Sequence, residues 1–165
     1  MAIRELRIIG DEVLLKRCKE IKELTPRLKT LIEDMIETMR EENGVGLAAP
    51  QVGILKRVMV IEVEEGKPYV FINPVILEKR GEQSGYEGCL SVPGKMGIVK
   101  RPQAIKVEAY DLNMEKFTLE CEDLFARAVC HECDHLDGKL YVDLVEGELK
   151  DTNEFEEDGF APETE

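Results

Sequence analysis

Between residues 28 and 39, apolar side chains fall at Leu28, Leu31, Ile32, Met35, Ile36 and Met39. This i, i+3, i+4, i+7 spacing predicts a helix with one buried stripe. Thr25-Pro26 opens it, with a hydroxyl placed to cap and a proline suited to the first helical position, and Asn43-Gly44 stops it. The small residues of GVGLAAPQVG (44–53) follow, and then the period changes. RVMVIEV (57–63) and YVFI (69–72) predict strands around an EEGKP turn, and VILEK (75–79) predicts a further strand after Asn73-Pro74. EGCLSVPG (87–94) ends in a Pro-Gly turn, and IKVEAYDL (105–112) and KFTLEC (116–121) flank Asn113-Met114-Glu115 as a hairpin. A second helix runs from about Glu122 through His135. The expected class is α+β: mostly antiparallel sheets packed around a C-terminal helix, with an amphipathic helix N-terminal to them.

A chain of 165 residues forms one domain with a core of its own. No stretch approaches the ~20 apolar residues of a membrane span. The opening MAIRELRIIGDEVLLKRCKE alternates charged and apolar positions, unlike a signal peptide. Five cysteines, at 18, 89, 121, 130 and 133, are an odd number without a secretion signal. They indicate a reducing compartment, hence a cytoplasmic protein with free or metal-bound thiols. A net charge of −13 excludes general affinity for nucleic acid. Much of that charge lies between Asp143 and Glu165, where ten acidic residues accompany one lysine. Residues 151–165 are expected to form an acidic, flexible tail, and residues 1–150 the single catalytic domain.

The chemistry concentrates in CHECDHLDG (130–138), whose HECDH fits H-E-x-x-H and holds both histidines of the chain. At about 100° per residue, His131 and His135 point within roughly 40° of each other, so both imidazoles reach one metal. Glu132 lies beside them, able to meet a water without being a ligand. Cys130 and Cys133 also form a C-x-x-C, but they point away from the histidine face and are read as packing cysteines rather than a redox pair. The third ligand has three candidates. Extending the pattern to a third histidine fails, because position 141 is Tyr. A glutamate from Glu146 onward would come from the acidic segment, which offers no frame. Cys89, in EGCLSVPG beside Gly88, completes a Cys-His-His set that leaves one position open. Its context favours Cys89; the downstream glutamates stay as the alternative.

Taken together, GVGLAAPQ, EGCLS and HECDH resemble, in order and spacing, the three motifs of the peptide deformylases of the short, bacterial type. The likeness runs from the N-terminus to about residue 150. It implies a hydrolase that releases, as formate, the N-formyl group of the initiator formylmethionine of newly made polypeptides. Cys89, His131 and His135 would hold one divalent ion, natively Fe2+ and replaceable by Zn2+, Ni2+ or Co2+. Glu132 would take a proton from the attacking water and return it to the departing amine. The Gln51 side-chain amide and the Leu90 backbone N–H would hold the developing oxyanion. Backbone groups of Val45, Gly46 and Gly88 would pair with the extended peptide, and a Glu87–Arg101 ion pair would steady the ligand loop. The partners implied are N-formylmethionyl nascent peptides, with transient proximity to the ribosome. Some relatives attach to the ribosome through a basic C-terminal helix, and the acidic segment here argues against that mode. Cys130 stands where the family usually has glutamine, which alters packing on a face turned from the metal.

Two other classes fit parts of the pattern. A zinc metallopeptidase cutting internal amides would use Glu132 in the same way but take a downstream glutamate as ligand. A non-enzymatic protein with a structural metal or a redox C-x-x-C would have no need of Gln51, Cys89 and Glu132 together.

Overall fold

The computed structural model describes residues 2–152, so most of the expected acidic tail lies outside the described residues. In chain order the elements are α1 (Pro26–Glu41), β1 (Gly46–Ala48), β2 (Val58–Ile61), β3 (Tyr69–Arg80), β4 (Gln83–Cys89), β5 (Val92–Arg101), β6 (Ala104–Tyr110), β7 (Lys116–Glu122), α2 (Asp123–Leu136) and β8 (Glu146–Asp151). Strands pair antiparallel throughout, in one sheet of order β1-β2-β3-β6-β7 and another of order β4-β5-β8.

Alternation along β2 explains the layering. Successive strand side chains point to opposite faces. Val58 and Val60 accordingly pack with Leu31, Ile32, Met35 and Met39 of α1, and Met59 and Ile61 pack with Ala126, Ala128 and Val129 of α2. All four β2 side chains are buried, so the strand reads as an uninterrupted apolar run. β1 follows the same rule, with Leu47 in the α1 cluster and Ala48 in the α2 cluster. The smaller sheet supplies Val92 and Val99, which pack with Cys89 and Tyr141. The order of layers is therefore α1, large sheet, α2, small sheet, and α2 is enclosed from both sides. No helix among the described residues is long and apolar enough to cross a membrane.

The ends of α1 follow the expected chemistry. Thr25 Oγ1 accepts the Leu28 N–H at 3.2 Å, Pro26 occupies the first helical position, and Asn43 closes the helix with φ 57° while the Gly44 N–H bonds Met39 O at 2.9 Å. Two polar residues of its buried face, Asp34 and Thr38, are occupied by the N-terminal segment: Asp34 accepts from the Ala2 N–H and from Arg4 Nε, and Thr38 Oγ1 accepts the Arg4 N–H.

Two expectations need correction. The segments 69–72 and 75–79 are one strand, β3, because Asn73-Pro74 is absorbed as a bulge where the register to β6 shifts between Ile72 and Val75. The turn falls earlier than Pro93-Gly94, at Leu90-Ser91, and Pro93-Gly94 lies inside β5. Within the domain expected for residues 1–150, Glu146–Asp151 forms β8 and pairs Asp151 with Lys95 of β5. Cross-strand Lys100–Glu146 and Lys95–Asp151 ion pairs accompany that pairing.

The bulge is anchored through Asn73. Asn73 adopts φ 51°, and its side chain exchanges two hydrogen bonds with the Ile21 backbone, at 2.8 and 2.7 Å. Asn73→Ala would strain the left-handed backbone and leave both Ile21 groups without these partners, a loss of about 2–4 kcal/mol. Urea unfolding should show that loss, and Asn73→Gly, which restores only the backbone freedom, should recover less than half of it.

Candidate metal centre

The three-residue set favoured by sequence context is brought together. Sγ of Cys89 and ring nitrogens of His131 and His135 all lie within 4.8 Å of one another, and all three residues are buried. Cys89 Sγ is 3.3 Å from His135 Nε2. Helix and strand geometry make this possible. Two residues along a strand advance about 6.7 Å, and four along an α-helix about 6 Å. Gly85, Glu87 and Cys89 of β4 can therefore meet Arg127, His131 and His135 of α2 rung by rung. Arg127 Nη2 would lie 3.3 Å from a Cβ placed on Gly85, His131 Nδ1 is 2.6 Å from Glu87 Oε1, and Cys89 meets His135.

Glu87 is the middle rung and is fully buried. Its carboxylate accepts from Arg101 Nε at 3.0 Å and Nη2 at 2.5 Å, from Arg127 Nη1 at 2.7 Å, and from His131 Nδ1. Burial alone would raise its pKa. The hydrogen bonds from His131 and Arg101 outweigh burial and hold the carboxyl well below the usual carboxylate range. An ionised Glu87 only accepts, so His131 keeps its proton on Nδ1 and turns Nε2 toward Cys89. His131 Nε2 is buried without a hydrogen-bond partner among the described residues.

The site's electrostatics suit a cation. Burial pulls both histidines toward neutrality. At His131, the charges of Glu132 and Cys89 overcome it and push the pKa well above its ordinary value. At His135, burial and the nearby His131 and Arg101 hold it well below. Glu132 and Cys89 thus favour positive charge beside His131. An orphaned nitrogen, a sulfur and a second ring nitrogen at this spacing fit a divalent transition metal.

The remaining expected residues surround this set. Gln51 is buried, its Oε1 accepting the Ala48 N–H at 2.9 Å, which directs Nε2 to Ser91 Oγ at 3.1 Å and toward Cys89 Sγ at 3.7 Å. Leu90 is half-buried in the β4–β5 turn next to Cys89. Glu132 is fully buried, with Oε2 4.0 Å from His131 Nε2. Val45 is half-buried and its carbonyl accepts the Glu62 N–H, whereas Gly46 faces α2, where a Cβ would lie 2.6 Å from Glu132 Oε2. Gly88 is different, because a Cβ there would meet only ordinary contacts. Both glycine segments adjoin sheet edges: β1 ends the large sheet and β4 ends the small one.

Arg127, Ser91, Asp134 and Tyr141 were missed in the sequence. Arg127 carried a signal, four residues before His131 and so on its face. Asp134 accepts from Arg101 Nη1 at 2.7 Å, and Tyr141 packs its ring 5.9 Å from that of His131. Ser91 and Tyr141 carried none, since each acquires its role from a distant element. Cys130 and Cys133 are free, and burial raises both thiols, Cys130 to about 11, which leaves them poor nucleophiles. Glu146 and Glu148 are exposed on β8 and are not part of the Cys89, His131 and His135 cluster.

A H-E-x-x-H helix enclosed beneath a cysteine-bearing hairpin marks a metal-dependent hydrolase. The family model for polypeptide deformylase matches residues 3–151. A peptide deformylase of Agathobacter rectalis is 60% identical over 151 residues, 92% of this chain and 95% of that protein. Among solved structures, the Synechococcus elongatus peptide deformylase in complex with actinonin aligns with TM-score 0.85 and 41% identity over 96% of this chain and 87% of that one. The Thermotoga maritima peptide deformylase aligns with TM-score 0.85 and 42% identity over 88% and 99%. The chain belongs to the polypeptide deformylase family. It is an enzyme that removes the formyl group from newly made peptides.

The approach of Gly46 to Glu132 carries a test. Gly46→Ala should displace the Glu132 carboxylate and lower kcat/KM for a formyl-Met peptide by about 10²-fold, the lower end of what is lost if an acid–base group is moved. Metal content, measured by elemental analysis, should remain that of the wild type.

Proposed function

We propose that Cys89, His131 and His135 hold one divalent cation, natively ferrous iron, and that Glu132 is the acid–base residue of N-formylmethionyl peptide hydrolysis. The convergence of one sulfur and two ring nitrogens within 4.8 Å, in a wholly buried cluster, carries this reading. Zn2+, Ni2+ or Co2+ suit the same donors. When bound, such an ion supplies Lewis acidity, polarising the formyl oxygen and bringing a water's pKa toward about 7.

The protein's own groups do the rest. Glu132 Oε2 receives a proton from the attacking water and passes it to the amine nitrogen as the formyl C–N bond breaks, giving formate and a free N-terminus. Gln51 Nε2 and the Leu90 N–H donate to the oxygen that becomes negative in the tetrahedral intermediate. The Ala48 N–H fixes which end of the Gln51 amide is offered. Glu87, held by Arg101, orients His131. The peptide lies extended against the edges formed by Val45 and Gly46 and by Gly88, adding a strand by main-chain hydrogen bonds. Its substrates are nascent chains, so it works in the cytoplasm in passing proximity to the ribosome, with no nucleic-acid contact of its own.

Protein prepared anaerobically with ferrous iron should release formate from a formyl-Met tripeptide. Glu132→Ala should lower kcat by about 10²–10⁴-fold while keeping its metal, and Cys89→Ala should lose the metal. Metal retained by Cys89→Ala would overturn the ligand set, and a wild-type rate in Glu132→Ala would overturn the acid–base assignment.

A further inference from the structure

Beyond the ligands themselves, we infer that Arg127 is a positioning residue that sets how tightly the cation is held, by fixing the β4–β5 hairpin against α2 before the cation arrives. This rests on the reading of Cys89, His131 and His135 as the ligand set. Those ligands come from two bodies: Cys89 from the hairpin, both histidines from the helix. A cation binds tightly only if the two bodies already stand at ligand spacing, since ordering them on binding would subtract from affinity.

Two hydrogen bonds and a glycine rung give Arg127 that part. Its side chain is almost wholly buried, and Nη1 donates both to Glu87 Oε2 at 2.7 Å and to Val99 O at 3.2 Å. Glu87 is on β4. Val99 is on β5, opposite Gly85 of β4, so one guanidinium nitrogen grips both strands of the hairpin from the helix. The rung opposite Arg127 is glycine, where a Cβ would stand 3.3 Å from Nη2 and crowd the group.

Arg101 cannot serve the same purpose. It sits on β5, so its pairing with Glu87 lies within the hairpin, and it reaches α2 only by bonding Asp134, whose side chain is 26% exposed. His131 does join helix to hairpin through Glu87, but it is itself a ligand. Arg127 is therefore the buried link from α2 to Glu87 that does not depend on the cation. It lies one helical turn from His131, and two grips on one carboxylate resist rotation of the helix where a single one would not.

The test uses full-length protein and Co2+, titrated against a competing chelator, for wild type, R127M, R127K and C89A. The thiolate-to-cobalt absorption band reports the ligand set, and urea unfolding of the metal-free proteins reports stability separately. In R127M the Co2+ Kd should rise about 10- to 100-fold, the scale of losing a group that orients a ligand. The band at saturation should keep its wild-type position, and R127K should recover part of the affinity. A Kd within twofold of wild type in folded R127M, even with a lowered urea midpoint, would make Arg127 purely structural and overturn the inference. Should R127M not fold, R127Q takes its place under the same twofold limit. A wild-type protein lacking a band that C89A abolishes would overturn the ligand set and this inference together; a wild-type band with unchanged R127M affinity would overturn this inference alone.

Discussion

A single buried carboxylate holds this fold and its site in one arrangement. Glu87 is fully enclosed, and an ion taken from water without compensation would be disfavoured by several kcal/mol. It is met by Arg101 from its own hairpin and by Arg127 and His131 from α2. Asp134 answers the second guanidinium edge of Arg101, so the cluster's buried charges are balanced side by side. Such a cluster adds little net stability compared with apolar packing, but it admits few alternative geometries. What it secures is position: two residues beyond Glu87 stands Cys89, and one turn beyond His131 stands His135.

That arrangement exploits a coincidence of repeats. The two-residue step of a strand and the four-residue step of a helix are nearly equal in length, so three residues on β4 can match three on α2 without strain. The match is lost gradually over longer distances, and the site is only three rungs long. α2 is held in place for this by its other face, where Ala126, Ala128 and Val129 pack on the large sheet through Met59, Ile61 and Phe71. Small residues on that face let the helix lie close. The apolar face sets the helix's depth, and the polar face sets its register with the hairpin.

The two sheets also divide the surroundings of the site. Each contributes an edge strand beside α2, and the edge strand of the large sheet carries a glycine where backbone must pass close to Glu132. An exposed sheet edge is a place for another chain to pair. Here the two edges adjoin the buried cluster of Cys89, His131 and His135.

Much of this was written in local pattern. The α1 stripe, its Thr25 cap and its Asn43-Gly44 stop depend on neighbours within a turn, and the structure has them as expected. His131, Glu132 and His135 share a helix, so their mutual geometry follows from helical spacing alone. Cys89 came from its motif context, and the structure brings it to the histidines. β4 and β8 were not legible, since QSGYEGC lacks a clean alternation and EGELKD reads as solvated charge; each becomes a strand only through pairing with β5. Ser91 was not legible for the same reason, and Arg127 was legible only as a neighbour of His131 on the helix, since the partner of each lies 40 residues away in the chain. The sequence by itself determined most of the elements, the candidate metal-binding side chains and the class of chemistry, because these rest on short-range periodicity and on what each side chain can donate. Tertiary structure alone decided which carboxylate would be buried, what would neutralise it, and how hairpin and helix would align, because those energies exist only once distant segments exclude water together.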